Sequence, residues 1–319
     1  MLEENIIFRR ATLASVITST YPMIVVGCYF GITPWNMERL SIDESDLSYA
    51  ILLFGIFFII SNQIAGRILV PKYGTKLVMT LAFPIVTFSA LLTVISSSYF
   101  YFLLTFISGG IGWGASGPIG GIHSQLIERH FKKIITPYYA MGFNLGILLG
   151  GGLAGLIMRN NYEPYISFTI LSFLSILVSS FVYSYGLPRD LDFKGEGEKF
   201  KLPETNVLLF GFLLFFVFGS GGIIMDWSTL WLSKDLNTPL YLASMGLIFF
   251  SIGGIFANLF SNSLINLFTE KVVGCHFVMI GAAIMFLSLL TNNFYIILGV
   301  LCIYGFAIAN LVPIIIRQA

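Results

Sequence analysis

Apolar residues fill long stretches of the chain, and only short polar segments separate them. A helix that crosses the hydrocarbon core of a bilayer needs about 20 mostly apolar residues. Ten runs approach or reach this length, near residues 11–33, 48–69, 76–96, 98–126, 137–159, 163–186, 206–229, 238–262, 272–291 and 293–316. The pattern therefore predicts an all-α polytopic membrane protein with ten transmembrane helices, numbered as runs 1 to 10.

One connection between the runs is long and polar. Residues 187–205 (LPRDLDFKGEGEKFKLPET) are rich in charges and contain glycine and proline, which is typical of a solvated linker. We therefore expect an N-terminal bundle of six helices at 1–186, a cytoplasmic linker at 187–205, and a C-terminal bundle of four helices at 206–319.

The basic residues predict the orientation of the runs. If the N-terminus lies in the cytoplasm, only Arg39, Arg159 and Lys234 of the 17 lysines and arginines fall on the outer side. Cytoplasmic loops of membrane proteins are enriched in these two residue types. We therefore expect the chain in the inner membrane, with both termini in the cytoplasm.

Composition narrows the function classes. Hydrophobic residues make up 56% of the chain and charged residues only 10%, whereas a soluble domain carries about 25% charged residues. The net charge of +1 gives no reason to expect a nucleic-acid partner. No phosphate-binding loop or zinc-type spacing of histidines occurs. We therefore expect the lipid bilayer as a partner, with no nucleic acid, no cofactor, no metal and no enzymatic activity.

An internal repeat relates runs 1 and 2 to runs 7 and 8 at an offset of 192 residues. The matched pairs include Trp35 with Trp227, Asp43 with Asp235, Tyr49 with Tyr241, and residues 56–58 with residues 248–250. A parallel repeat of two helix groups is a known transporter design. Chance similarity between two apolar hairpins is the alternative interpretation.

The segment 66–76 (GRILVPKYGTK) resembles the signature of the loop between helices 2 and 3 in the major facilitator superfamily. The matching residues are the first glycine, placed one position early, and the basic, aromatic and glycine end: Gly66, Lys72, Tyr73, Gly74 and Lys76. In the family this loop locks the cytoplasmic side, so the resemblance implies a gating role for Gly66, Lys72, Gly74 and Lys76. This chain departs from the signature at one position, where Pro71 replaces the Asp.

A second segment, 219–232 (GSGGIIMDWSTLWL), is similar to a bacterial subgroup of the superfamily related to fucose permeases, as is the run 305–313 (GFAIANLVP). The resemblance implies a two-bundle fold and a secondary transporter, or permease. Such a protein moves a small solute, sugar-like or another polar metabolite, by alternating access.

The repeat also predicts what lies beyond the last run. If residue 192 + n repeats residue n, the counterparts of runs 5 and 6 would follow residue 319, so the chain is expected to be C-terminally incomplete, with six plus four helices. A separately encoded helix pair is then a candidate partner. The alternative is a truncated membrane protein that does not transport, either a gene fragment or one piece of a split transporter.

Polar residues inside apolar runs are costly in a bilayer and are candidates for function. Asp226 lies near the outer end of run 7, beside Trp227, and would bind a polar substrate or a coupling proton. The alternatives are a hydrated helix end, a pairing with Lys234, and for Trp227 an interfacial aromatic belt. The glycines before Asp226, including Gly221 and Gly222, predict a broken, gate-like segment.

Further candidates for substrate binding lie in runs 1, 4 and 5. His123 and Gln125, near the cytoplasmic end of run 4, line an inner vestibule or pack against a neighbouring helix. Asn144 in run 5 faces either a cavity or run 4. Tyr21 and Trp113 are aromatic candidates for a sugar-like or apolar ligand, with packing as the alternative.

Overall fold

The computed structural model describes residues 2–133, 135–192, 205–311 and 314. Within these residues the regular structure is helical and contains no strand. The helices are α1 (Leu2–Gly31), α2 (Thr33–Leu40), α3 (Glu44–Ile64), α4 (Val70–Tyr73), α5 (Thr75–Ile95), α6 (Tyr99–Phe131), α7 (Thr136–Arg159), α8 (Pro164–Tyr185), α9 (Thr205–Lys234), α10 (Leu240–Ala243), α11 (Met245–Leu259), α12 (Ser261–Lys271), α13 (Phe277–Ser288) and α14 (Phe294–Ala309). Two π-helical turns, Ala65–Leu69 and Val272–His276, join neighbouring helices.

Nine helical segments in the described part of the chain are long and apolar enough to cross a membrane. They correspond to runs 1 to 9, and the shorter apolar helix α14 corresponds to run 10. The predicted all-α polytopic fold is confirmed. Its physical cause is that a chain in lipid must satisfy its backbone hydrogen bonds internally, as helices do. The count of ten spanning helices stays a prediction.

Local sequence signals explain several helix ends. Asp43 and Asp46 form a reciprocal capping box at the start of α3. The side chain of Asn293 accepts hydrogen bonds from two backbone N–H groups at the start of α14. Each cap satisfies donors that the first helical turn leaves unpaired, and so fixes where the helix begins.

The chain divides into two compact units. The first comprises Met1–Val26, Trp35–Gly142 and Tyr162–Lys199. Within it, α6 packs against α3 and α5, and α5 packs against α8. Gly110 and Gly114 of α6 lie directly on the backbone of Phe54 and Phe58 in α3, where any side chain would overlap the carbonyl groups. Small residues thus allow these helices to approach closely.

The second unit comprises Gly27–Pro34, Phe143–Asn161 and Phe200–Ala319. Its α14 packs against α11 and α13, and α9 contacts α11 and α14. The unit also includes the last turn of α1, from Gly27, and the larger part of α7, from Phe143. The predicted division into bundles at 1–186 and 206–319 stays a prediction.

The internal repeat has a counterpart in the packing of each unit. In the first unit, the carbonyl of Phe58 in α3 lies against Gly114 of α6. In the second unit, the carbonyl of Phe250 in α11 lies against Gly305 of α14. Phe58 and Phe250 are a matched pair of the sequence repeat, whereas Gly305 lies one position before the residue that the offset pairs with Gly114. A similar close helix approach therefore occurs in both units, with a shift of one residue on the glycine side.

The predicted break in run 7 is absent, which corrects the expectation based on its glycines. Helix α9 continues without interruption through Gly221 and Gly222. A glycine costs about 1 kcal/mol relative to alanine in a helix interior. In a bilayer, an unpaired backbone group costs more than that, so the helix persists.

Candidate functional site

Asn144 lies over Gly254 in the second unit, where α7 and α11 run side by side. A Cβ atom built on Gly254 would lie 2.6 Å from Oδ1 and 2.9 Å from Nδ2 of Asn144. Farther along the pair, Gly151 lies against Leu247, with 3.4 Å between the built Cβ and the leucine Cβ. Residue numbers rise along α7 as they fall along α11, so the helices are antiparallel and the glycines bring them close.

Two further polar side chains occupy the face of α11 that carries Gly254. Ser251 and Asn258 precede and follow Gly254 by three and four residues, which places all three on one side of an α-helix. Ser251 is fully buried and Asn258 is 7% exposed. The Ser251 hydroxyl and both amide atoms of Asn258 have no hydrogen-bond partner among the described residues.

A second buried amide, Asn310, contacts the backbone of α11 next to Asn258. Asn310 ends α14 and is buried, and its Nδ2 donates to the carbonyl of Ala257 at 3.2 Å, beside Asn258 in the chain. Its Oδ1 has no partner within the described part of the chain. Buried polar atoms are nearly always paired, with protein, water or a ligand. These residues therefore offer unused donors and acceptors to a molecule that enters.

We call Asn144, Ser251, Asn258 and Asn310 the amide cluster. Its side chains are amides and a hydroxyl, so its chemistry is hydrogen bonding without net charge. Asn144 was predicted as a substrate-binding residue, whereas Ser251, Asn258 and Asn310 were not. In the sequence, each of these three is a polar residue within or at the end of a long apolar run. Ser251 and Asn258 are also spaced so that they share one face of a helix.

Asp226 and Trp227 lie in α9, also in the second unit, and both are half-buried. No hydrogen bond or ion pair joins Asp226 to another of the described residues. Lys234 is the partner that the sequence suggests for Asp226. It lies eight residues farther along the same helix, about 12 Å of helical rise away. The next two residues, Ser228 and Thr229, are buried and their hydroxyls are unpaired among the described groups.

His123 is fully buried in the first unit, and the protein uses both of its ring nitrogens. The backbone N–H of Leu187 donates to Nε2 at 3.3 Å, so Nε2 is the acceptor. Nδ1 then carries the proton and donates to Oγ1 of Thr75 at 2.7 Å. The network assigns a neutral imidazole in the Nδ1–H form, which leaves the ring no free site for a solute.

Asp192 completes this network from beyond α8. Its Oδ1 accepts from the Thr75 hydroxyl at 2.5 Å and from the Thr75 N–H at 3.1 Å. Its Oδ2 accepts from the Lys76 N–H at 3.0 Å. Because Gly74, which precedes α5, has no side chain, this carboxylate acts as the N-cap of the helix. We call Asp192, Thr75, His123 and Leu187 the clasp.

The other candidates in the first unit pack against helices. The Tyr21 hydroxyl donates to the Leu171 carbonyl at 2.6 Å, and its ring stacks on Phe83 with 5.6 Å between centroids. Trp113 is half-buried and its ring lies over Gly117, one turn along α6. Gln125 is half-buried in α6, two residues after His123. These residues and the amide cluster belong to different units.

A family comparison decides what kind of protein carries these groups. The sequence model of the Major Facilitator Superfamily matches residues 13–319, nearly the whole chain. The chain belongs to the Major Facilitator Superfamily. The resemblance seen in segment 66–76 is thereby confirmed, whereas the subgroup related to fucose permeases stays a prediction.

Relatives and solved structures agree with membership of the Major Facilitator Superfamily. An uncharacterized MFS-type transporter of Yersinia pestis is 21% identical over 296 residues, which cover 90% of this chain and 74% of that protein. The human organic anion transporter MFSD10 (TETRAN) has a similar structure, with a TM-score of 0.68 at 14% identity, covering 97% of this chain and 84% of that one. The structure of the nucleoside transporter NupG has a TM-score of 0.66 at 15% identity, covering 94% of this chain and 79% of that one. The structure of a D-xylose-proton symporter has a TM-score of 0.65 at 15% identity, covering 95% of this chain and 79% of that one. The chain is therefore a multi-pass membrane protein with the fold of these transporters.

The residues predicted to have a gating role lie in or next to the segment between α3 and α5. This segment is the one that resembles the superfamily loop between helices 2 and 3. Gly66 lies in the π-helical turn and has open space around it. Gly74 has φ +82°, a backbone conformation that favours glycine. Lys72 is exposed and its Nζ lies 5.0 Å from the Tyr73 ring centroid, whereas Lys76 lies 4.8 Å from the ring of Tyr183. The carboxylate of Asp192 contacts this loop and accepts hydrogen bonds from Thr75 and Lys76 just after it.

Gly221 and Gly222 lie within the unbroken helix α9 of this superfamily member. Gly221 is buried, and a Cβ built there would lie 3.7 Å from Cδ1 of Ile308 in α14. Gly222 has nothing within 4 Å of such an atom. A gating role for the pair therefore stays a prediction.

Proposed function

We propose that the chain is a secondary transporter that carries a small, neutral, polar solute across the inner membrane. It would work by alternating access between bundles at 1–186 and 206–319, with both termini in the cytoplasm. The observation that carries the proposal is the amide cluster. Asn144 faces α11 between Ser251 and Asn258, two buried residues whose hydrogen-bonding atoms have no protein partner among the described residues.

The chemistry of the cluster favours a neutral solute. A charged group inside a bilayer is costly unless a partner of opposite charge or water accompanies it. The amide cluster offers donors and acceptors but no charge, so it matches hydroxyl, amide or ring-nitrogen groups. Among the similar structures, one is a nucleoside transporter and one is a D-xylose-proton symporter. A sugar-like or nucleoside-like solute is therefore the class we propose.

Family membership favours transport over the alternative of a non-transporting membrane protein. The superfamily model covers residues 13–319, and the similar solved structures are transporters. A transporter is therefore the function we propose.

Asp226 is proposed as the group that decides proton coupling or binds a polar part of the solute. It is a half-buried carboxylate in a spanning helix and has no ion pair among the described residues. If it carries a coupling proton, Asp226→Asn abolishes uptake driven by a pH gradient but retains exchange of solute across the membrane. If uptake does not respond to a pH gradient, the symport version is wrong and facilitated diffusion remains.

The proposal is tested by solute counterflow with the purified chain in proteoliposomes. The panel contains labelled pentoses, hexoses and nucleosides, with charged organic acids and amines as controls. We expect saturable uptake of at least one neutral solute, absent from protein-free liposomes and inhibited by unlabelled solute. Saturable uptake of charged solutes only would contradict the proposed class, and no saturable uptake of any solute would contradict transport.

A further inference from the structure

An apolar groove crosses the surface of the first unit between α3 and α5. Its volume is about 520 Å³, and its walls include Ile60 and Ile64 of α3 and Leu77, Leu81 and Ile85 of α5. Ser61 also lines the groove, but its hydroxyl donates to the Ile111 carbonyl at 2.7 Å. The groove thus presents almost only hydrocarbon, which suits an alkyl chain and not a polar solute.

The length of the groove matches one leaflet of a bilayer. From Leu77 to Ile85 the helix rises by about 12 Å. Half of the hydrocarbon core is about 15 Å thick. Because α3 and α5 are spanning segments, the groove lies within the part of the protein that lipid surrounds.

A polar cavity of about 670 Å³ begins where the groove ends. Tyr73 lines both, and the cavity also contains Lys72, Arg189, Asp190 and Asp192. Lys72 and Arg189 are exposed. The Asp192 carboxylate accepts three hydrogen bonds from Thr75 and Lys76 at the start of α5. The cavity holds two bases and two acids, but the Asp192 charge lies at the positive N-terminal end of α5, which offsets part of it. A small positive excess therefore remains, and it favours an anion.

We propose that the groove and the cavity together bind one anionic phospholipid of the cytoplasmic leaflet. One acyl chain lies along Ile60 and Leu81, and the phosphate lies between Lys72 and Arg189. The two parts match the two parts of the lipid, because the apolar section lies at membrane depth and the basic section lies at the helix ends. Anionic headgroups attract basic residues at the cytoplasmic surface by about 1 kcal/mol per residue. The site is separate from the amide cluster, and its occupancy does not depend on transport.

The test is a binding titration of the solubilised full chain with short-chain phosphatidylglycerol, phosphatidylcholine and inorganic phosphate. We expect phosphatidylglycerol to bind at least tenfold more tightly than phosphatidylcholine, and phosphate alone not to compete. Replacing both bases, Lys72→Gln with Arg189→Gln, is expected to weaken phosphatidylglycerol binding by about 10- to 30-fold. The matched control is Arg129→Gln with Lys132→Gln, two exposed bases at the C-terminal end of α6, which leaves the binding within about twofold of that of the unmodified chain.

A second pair of variants tests the groove itself. Leu81 is 66% exposed on α5 and lines the groove, so Leu81→Trp fills it and weakens the binding of both phospholipids. Leu92 is 47% exposed on the same helix outside the groove, and Leu92→Trp leaves binding unchanged. Four outcomes would each overturn the proposal. They are equal affinity for the two lipids, phosphatidylglycerol binding that does not change when Lys72 and Arg189 are replaced, full competition by phosphate, and equal effects of the two tryptophan variants.

Discussion

The carboxylate of Asp192 accepts hydrogen bonds from both the backbone N–H and the hydroxyl of Thr75, 117 residues earlier in the chain. Thr75 is the first residue of α5, and the glycine before it has no side chain to cap the helix. The same hydroxyl accepts from His123 of α6, whose other ring nitrogen accepts from Leu187. The clasp therefore joins the start of α5, the C-terminal part of α6 and the segment that follows α8.

Replacing the capping carboxylate should destabilise the chain. Asp192→Asn keeps the size of the side chain but removes its charge and one acceptor, so a buried N–H group loses its partner. We expect a loss of about 1–3 kcal/mol in the free energy of unfolding. The measurement is chemical or thermal unfolding in detergent micelles. Asp190→Asn, an exposed residue two positions earlier, is the control and should have almost no effect; equal losses for the two variants would contradict the clasp.

The hydroxyl of Thr75 should contribute more than other threonine hydroxyls of α5. Thr75→Val removes the hydroxyl that both His123 and Asp192 use, while Asp192 keeps its two backbone N–H donors. The loss of the hydroxyl is expected to cost about 1–3 kcal/mol. Thr80 is also buried, but its hydroxyl donates only to the backbone of its own helix, at 2.8 Å to Lys76. Thr80→Val should therefore cost clearly less in the same unfolding assay. A larger loss for the Thr80 variant would show that the network is not a main source of stability.

Gly74 should tolerate no side chain, unlike Gly66 in the same loop. Gly74 has φ +82° and ψ +162°, a region that other residues avoid at a cost of about 1–3 kcal/mol, and a Cβ there would lie 2.5 Å from Asp192 Oδ2. A Cβ on Gly66 meets nothing within 4 Å. Gly74→Ala is thus expected to lower thermal stability, and Gly66→Ala is not. Similar melting temperatures for the two variants would contradict this backbone assignment.

Gly254 should be important for transport and less important for folding. A Cβ at this position would lie 2.6 Å from Oδ1 of Asn144, at the end of a side chain that is able to move. Gly254→Ala is therefore expected to displace the amide and lower the rate of solute uptake by about tenfold, at nearly unchanged stability. Gly152→Ala, in α7 with nothing within 4 Å, is the control. Uptake that is lowered equally by both variants would indicate a general packing effect.

Much of the fold follows from simple patterns in the sequence. Run length predicts the spanning helices because a bilayer requires about 20 apolar residues. The 192-residue repeat pairs Phe58 with Phe250, and the structure places the carbonyl of each against a glycine of a neighbouring helix. Asn144 stands out because an amide is rare among apolar residues. These signals are local or periodic, so they can be recognised without a structure.

Other features depend on which distant residues meet, and the sequence does not contain that information in a readable form. Asp192 lies in a charged linker, where a carboxylate is ordinary, and only the fold shows that it caps α5. His123 has the chemistry of a ligand, but its partners Thr75 and Leu187 are remote in the chain. The glycines of run 7 predicted a break, yet the bilayer environment favours a continuous helix over the weak preference of each glycine.

The central claim is that the amide cluster binds the transported solute, and Asn144→Ala tests it most directly. The measurement is the initial rate of uptake into proteoliposomes as a function of solute concentration, using the neutral solute identified by counterflow. We predict at least a tenfold loss in kcat/KM for Asn144→Ala, because a hydrogen bond to the solute is removed. Asn160→Ala changes an exposed amide that follows the last residue of α7, and its uptake should stay near that of the unmodified chain. Uptake by Asn144→Ala that is indistinguishable from uptake by Asn160→Ala would contradict the account.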